Sequence, residues 1–410
     1  MFTMGIFGVT LLLACAVNVI STNSTETSDC LSAKQLCMED PQCEASYQLF
    51  MNCSHKEVMN PVYSAQCKEA SRVLSQKGLM QCRCSRRMKK EEHCVTIYWT
   101  LHPGSAQGSL DSYDSPYIAE ENDAKGAADY RRAVTLQSRT ETGSNSKNAC
   151  LREANICSSY EKCDKHKSDY AGNCGNPFSS CSRHKCHYHL RQFFKKVPVE
   201  FTKRFLFCPC NQDSYCAERR RQNIVPKCSF EEKHKRSCLE LHDACINDNL
   251  CKSRLLDYRK HCFLSDKTTE GCPAESHSPC IQSYMGMIGT VMTPNFINNM
   301  SMDISLWCTC EGSANEEERC KDILAMFTSN KCLKRALSSE LNIDINTEPE
   351  LTTPTERVNP PVLLEPEVPV LHATMIRSQN TASGVSSPSL ALTLLSPALF
   401  LWLLNIMLHM

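Results

Sequence analysis

Apolar side chains recur three and four positions apart in stretches such as CEASYQLFMNC (43–53) and CKSRLLDYRKHC (251–262). That spacing marks one face of a helix, whereas the period-two alternation of a half-buried strand is scarce along the chain. The helical stretches come in pairs. Five-residue gaps rich in turn formers separate the members of a pair, MEDPQ (38–42) in one place and INDNL (246–250) in another, and Asp, Asn and Pro there bend the chain. The pattern predicts an all-α protein built from units of helix, tight turn and helix.

Cysteine spacing shows that the unit is used three times. The chain holds 29 cysteines. Leaving out Cys15, the first set is Cys30, Cys37, Cys43, Cys53, Cys67, Cys82, Cys84 and Cys94. The second is Cys150, Cys157, Cys163, Cys174, Cys181, Cys186, Cys208, Cys210, Cys216 and Cys228, and the third is Cys238, Cys245, Cys251, Cys262, Cys272, Cys280, Cys308, Cys310, Cys320 and Cys332. Each set opens C-x6-C-x5-C and later carries a C-x-C preceded by apolar residues: QCRCS, FCPCN and WCTCE. An aromatic falls seven residues after the third cysteine every time, at Phe50, Tyr170 and Tyr258. Each repeat therefore reads as a small helical bundle with little core of its own. Disulfides compensate, each contributing about 2–4 kcal/mol by restricting the unfolded chain. Spacing alone leaves many pairings open. Repeat one, however, lacks the equivalents of Cys181/Cys272 and of Cys228/Cys332 together, which predicts that Cys181 pairs with Cys228 and Cys272 with Cys332.

The ends of the chain set the compartment. An apolar run, MGIFGVTLLLACAVNVIST, with small polar residues after it predicts a secretory signal over 1–21, and so an oxidising environment for the cysteines. The stretch 338–379 is rich in Pro, Thr and Glu and predicts a solvated stalk. Beyond it, NTASGVSSPS followed by 21 residues without an acidic or basic side chain apart from His409 predicts a glycosylphosphatidylinositol (GPI) attachment signal over 380–410. The attachment residue is Asn380, or Ala382 or Ser383. Between these ends lie cysteine-rich domains at 30–94, 150–228 and 238–332. The 95–149 linker, with its Gly, Ser, Asp and Ala, reads as flexible and leaves repeat one mobile. Sequons stand at Asn23, Asn52 and Asn299, although Cys53, a disulfide half, sits in the middle of the second.

One motif invites a catalytic reading. In CLELHDACINDNLC, His242 and Asp243 lie between cysteines, as the catalytic histidine of secreted phospholipases A2 does. The segment before Cys238 has no glycine for a calcium loop, and the equivalent positions in the other repeats are Lys34 and Gln35, then Ala154 and Asn155. An ordinary helix histidine is the better reading. Nucleophile-elbow, zinc-protease and phosphate-loop motifs are absent from the sequence. Neither an enzyme nor a cofactor or metal is expected.

Charge distinguishes the second repeat. Lys plus Arg and Asp plus Glu balance at 45 each over the whole chain, yet residues 183–236 carry 14 basic against 5 acidic side chains. RHKCHYHLRQFFKK places Arg183, Lys185, Arg191, Lys195 and Lys196 on one helix, and CAERRRQNIVP follows a cysteine with Arg219, Arg220 and Arg221. Arginine forks suit carboxylates and sulfates. Outside a cell, such a patch implies an acidic protein or a sulfated glycosaminoglycan rather than nucleic acid.

On the strings CRCSRRMKK, IYWTLH, DSPY, LRQFFKKVP, CAERRRQNIVPKCS, CKSRLLDY and GTVMTPNF, the chain resembles the glial-cell-line-derived neurotrophic factor (GDNF) family receptor alpha subunits. SRRMKK, IYWTLH and MTPNF look most like subtype three, the artemin co-receptor. The resemblance implies three disulfide-rich helical domains on a lipid anchor and no catalysis. It also implies a dimeric cystine-knot growth factor as ligand, presented to the RET receptor tyrosine kinase. The bridges implied for repeat two are Cys150–Cys208, Cys157–Cys163, Cys174–Cys186, Cys181–Cys228 and Cys210–Cys216. For repeat three they are Cys238–Cys308, Cys245–Cys251, Cys262–Cys280, Cys272–Cys332 and Cys310–Cys320, and for repeat one Cys30–Cys82, Cys37–Cys43, Cys53–Cys67 and Cys84–Cys94. Arg219 and Arg220 match the family's ligand-gripping positions, Lys167 stands where a family arginine can, and Arg221 of the same run is a further ligand-binding candidate. The helix bearing Arg183, Lys185, Arg191, Lys195 and Lys196 matches its heparan sulfate surface.

Overall fold

The computed structural model describes residues 28–54, 61–103, 114–118, 123–140, 148–175, 182–210, 213–224, 235–263, 272–297 and 303–341, all within one compact unit. Outside these residues lie the expected signal, the stalk beyond 341, the attachment segment with Asn380, Ala382 and Ser383, sequons Asn23 and Asn299, and the Cys181–Cys228 bridge.

Repeat one contains α1 (Cys30–Glu39), α2 (Pro41–Ser54), α3 (Pro61–Gln76) and α4 (Glu91–Leu101). Repeat two follows a connecting helix, α5 (Ala124–Thr140), with α6 (Ala149–Ser158), α7 (Glu161–Cys174), α8 (Arg183–Lys196), α9 (Val199–Leu206) and α10 (Ser214–Ile224). Repeat three holds α11 (Cys238–Asn247), α12 (Asn249–Cys262), α13 (His277–Met287), α14 (Glu317–Thr328) and α15 (Lys331–Leu341).

Local chemistry explains why each repeat starts alike. A polar side chain caps the first helix every time. Asp29 Oδ1 accepts from the amides of Leu31 and Ser32, Asn148 Oδ1 from that of Leu151, and Ser237 Oγ from that of Leu239. Such caps satisfy amides that have no partner within the helix. The turns that separate the paired helices work the same way in repeats one and three, whereas Tyr160 holds that place in repeat two without a side-chain cap. Asp40 Oδ1 accepts from the amides of Gln42 and Cys43, and Asp248 Oδ1 from that of Cys251 at 2.7 Å.

Disulfides then close the units. The first cysteine of each repeat bridges the first of its C-x-C, giving Cys30–Cys82, Cys150–Cys208 and Cys238–Cys308. The second cysteine of each C-x-C bridges forward, giving Cys84–Cys94, Cys210–Cys216 and Cys310–Cys320. Cys37–Cys43, Cys157–Cys163 and Cys245–Cys251 pin the paired helices. The remaining bridges are Cys53–Cys67, Cys174–Cys186, Cys262–Cys280 and Cys272–Cys332. The aromatic after the third cysteine enters the core in repeats two and three. Tyr258 is fully buried, stacks on Phe327 at 4.8 Å and donates its hydroxyl to Met326 O at 2.8 Å. Phe50 is only partly covered.

Short strands interrupt the helices of repeat three, where the hydrophobic pattern had pointed to none. Here β1 (Arg236–Ser237) runs parallel to β4 (Cys308–Thr309), and β2 (Pro294–Phe296) pairs antiparallel with β3 (Ile304–Leu306). With two or three residues each they are too short to show a period, so only tertiary packing defines them.

The connection between repeats one and two departs further from expectation. Helix α4 continues past Cys94 to Leu101, and α5 occupies much of the segment read as flexible. Asp123 Oδ1 accepts from Gly126 N at the start of α5, and Tyr130 meets Phe201 edge-on at 5.2 Å. Polar residues on its solvent side dilute the signal of one apolar stripe.

Repeat one packs against repeat three. Leu256 of α12 belongs to the same buried cluster as Tyr98, Trp99 and Leu101 of α4. Trp99 Nε1 donates to Ser253 Oγ at 2.8 Å, and the Lys252 ammonium lies 3.7 Å from the centre of the Trp99 ring. A buried ionic seam adds to this contact. Arg86 pairs with Asp257 at 2.6 Å, and Arg254 Nη2 donates to both Glu91 oxygens at 2.8 and 3.0 Å. Repeats two and three share one core, in which Phe207 packs near Tyr284 and Phe296.

Candidate functional site

Helix α10 presents the arginine run. Asp213 Oδ1 caps it, accepting from the amides of Tyr215 and Cys216, and the Cys210–Cys216 bridge anchors its first turn. Successive helical residues are rotated by about 100°, so the three arginines separate. Cys216, Arg220 and Ile224 share the inward face, all 3% exposed or less. Arg219 lies on the outer face with Tyr215, which is 85% exposed, and with Gln222. Arg221 sits between, 3.7 Å from Glu218.

Arg220 is thus not the surface fork that the motif predicted. Its guanidinium lies 4.6 Å from the Phe296 ring centre and donates to Cys208 O at 3.5 Å, joining repeat two to β2 of repeat three. Burial pulls its pKa down to about 10, which leaves it charged at neutral pH. A desolvated cation over an aromatic face contributes about 2 kcal/mol. Arg220→Ala should therefore lower stability by about that amount, seen as an earlier denaturant midpoint; an unchanged midpoint would contradict the packing role.

Lys167 also departs from expectation. Its ammonium contacts Ser158 Oγ and lies 3.3 Å from Asp164, beside the last turn of α6. There it meets the negative end of that helix, and its side chain is 19% exposed. Arg219 is left as the outward cation. Its charge reaches the buried Tyr170 phenol, opposing part of the pKa rise that burial imposes there.

The basic helix α8 divides likewise. Lys185 and Lys196 are exposed, and Arg183 is half-buried. Arg191 and Lys195 turn inward instead. Arg191 Nη1 donates to Gly289 O at 2.7 Å and approaches Glu92 at 3.7 Å, while Lys195 Nζ reaches Glu91 at 3.5 Å. Burial lowers the pKa of both. Gly289 permits this approach: its φ of 87° suits glycine, and a Cβ there would lie 2.6 Å from Arg191 Cγ.

His242 lies 3.5 Å from Asp243, and Asp243 is exposed and bound by Arg319 at 3.0 Å. This is a surface ion pair beside a half-buried histidine. Three sulfur clusters recur at equivalent places, Cys30/Cys84/Cys94, Cys150/Cys210/Cys216 and Cys238/Cys310/Cys320. Every one of these sulfurs is in a disulfide, so the clusters are junctions of two bridges. Asn52 is exposed on α2 next to bridged Cys53. Sequence reasoning missed Tyr215; its signal was the i, i+4 spacing to Arg219. Among the described residues no helix is long and apolar enough to cross a membrane.

Three stapled helical units carrying an exposed arginine and tyrosine on a fixed helix define a binding scaffold rather than a catalyst. The GDNF/GAS1 domain family matches at residues 30–106, 150–228 and 238–332. The chain is 39% identical to the GDNF family receptor alpha-2 of Gallus gallus, across 83% of this chain and 74% of that one. Identity to the alpha-3 receptor of Mus musculus is 32%, across 88% of this chain and 91% of the relative. A chain of a solved growth factor/receptor complex is 38% identical, covering 48% of this chain and 96% of its own length at a TM-score of 0.45. The chain belongs to the GDNF family receptor alpha family, whose members are not enzymes. The strings that suggested subtype three are not matched by overall identity, which is higher to alpha-2.

Proposed function

We propose that this protein is a lipid-anchored co-receptor that binds a dimeric GDNF-family growth factor through the outer face of α10 and presents it to the RET kinase. The observation that carries the reading is exposed Arg219 one helical turn from exposed Tyr215, on a helix held at its first turn by a disulfide. Arginine and tyrosine are enriched among residues that dominate protein interfaces, and a guanidinium suits an acidic growth-factor surface. Arg219 is the direct contact, with Arg221 beside it; Arg220 supports the helix from below. Artemin is the proposed ligand, on the subtype-three strings and on the 91% of the mouse alpha-3 chain that this protein spans.

Arg219→Ala should cost about 2 kcal/mol, roughly 30-fold in Kd, with no change in thermal stability. Surface-immobilised protein titrated with artemin and with the other family ligands reads this out. Wild-type affinity in the variant would remove α10 from the interface, and tighter binding of another ligand would overturn the artemin assignment. The alternative, a shed glycosaminoglycan-binding or decoy protein, rests on exposed Lys185 and Lys196. Heparin retention without saturable growth-factor binding would favour it.

A further inference from the structure

Two disulfides meet at the foot of α10, the helix that carries Arg219 and Tyr215. Cys210–Cys216 anchors its first turn, and Cys150–Cys208 ties the C-x-C to the start of repeat two. The Cys150 and Cys210 sulfurs lie 3.3 Å apart, and those of Cys150, Cys210 and Cys216 all fall within 4.8 Å of one another. A thiolate released from one bridge therefore stands within reach of the other. Cys150, Cys208 and Cys216 are buried, whereas Cys210 is half-exposed. Thiol–disulfide exchange starts with a thiolate attacking an accessible sulfur. Cys210 is that point of entry.

The equivalent junctions differ from this one. In repeat one Cys30, Cys84 and Cys94 are all fully buried, which denies a thiol its entry. In repeat three Cys310 is half-exposed, but α14 sinks Ile323 and Phe327 into the main core, and these hold it independently of its bridge. Helix α10 gives that core Ile224, at its far end. Its first turn rests on the bridges, and Arg220 donates to the carbonyl of Cys208 itself. A change of pairing moves that turn, and Tyr215 and Arg219 move with it.

We propose that Cys210–Cys216 is a thiol-responsive control on the outer face of α10, a reading that rests on the growth-factor site proposed above. A small extracellular monothiol of the cysteine class attacks Cys210 as the thiolate, forms a mixed disulfide there and expels the Cys216 thiolate. Cys216 then attacks Cys150, which breaks Cys150–Cys208 and expels the Cys208 thiolate. Cys208 attacks the mixed disulfide at Cys210, closes Cys208–Cys210 and returns the monothiolate. Every bond broken is replaced by one formed, so the thiol is a catalyst and no oxidant or reductant is consumed. The product carries Cys150–Cys216 and Cys208–Cys210.

Purified protein incubated with free cysteine under argon, alkylated and mapped by mass spectrometry should yield a Cys150–Cys216 peptide pair. Cys30–Cys82 and Cys84–Cys94 should stay native in the same sample. Affinity for artemin, or for a tighter family ligand if the titration above finds one, should fall in step. The fall should approach the roughly 30-fold expected of Arg219→Ala. A native map after treatment, or free thiols without the new pair, would overturn the proposal. Exchange with unchanged affinity would overturn it as a control. Arg219→Ala separates the two readings: if that variant weakens binding and exchange does not, the control fails and the binding face stands. If neither weakens binding, the binding face fails as well.

Discussion

Glu91→Ala is expected to cost about 3–5 kcal/mol, because it leaves buried cations without their shared carboxylate. Glu91 is 2% exposed and accepts from the Tyr117 hydroxyl at 2.9 Å as well as from Arg254 and Lys195. Burial by itself opposes the charge on Arg254, yet Glu91 beside it holds that guanidinium's pKa above its ordinary range. Coulombic attraction outweighs desolvation here only while the acid is present. The double variant Glu91→Leu with Arg254→Met should be far milder, since replacing both partners of a buried pair by apolar groups is often close to neutral. Denaturant midpoints of the three proteins test this. A single-variant loss below about 1 kcal/mol would mean that water, not Glu91, solvates Arg254.

Removing the Cys238–Cys308 bridge, by Cys238→Ala with Cys308→Ala, should lower stability by about 4 kcal/mol in the chain-entropy account. The bridge closes a segment with a sequence separation of 70 and joins the start of α11 to the C-x-C. Its equivalents, Cys30–Cys82 and Cys150–Cys208, span 52 and 58. Closure entropy grows only with the logarithm of loop length, so the three deletions should differ by less than about 1 kcal/mol. Equilibrium unfolding of each double variant measures both statements. A much larger loss in one repeat would show that native packing, and not the unfolded chain, dominates there.

Much of the architecture was legible because it is local. Helix faces, and turn residues such as Asp40 and Asp248, act within four positions of themselves. The pairing of Cys272 with Cys332 could be inferred only because repeat one lacks both equivalents; the structure joins these two cysteines. Residues on the basic helices were harder to place. All five on α8 read as one basic surface, but Arg191 and Lys195 belong to the repeat junction, and among three adjacent arginines only Arg219 stands fully outward.

By itself, the sequence determined an all-α, three-unit protein with disulfide-closed helices and a basic second unit, since these properties follow from short-range periodicity and from cysteine spacing repeated three times. Only the tertiary structure decided which cations meet solvent and that repeat one packs against repeat three. The physical reason is separation along the chain: Arg86 and Asp257 are 171 residues apart, and Arg254 and Glu91 are 163 apart. No local pattern encodes such a partner, and a charged side chain looks the same in a sequence whether it faces water or a buried carboxylate.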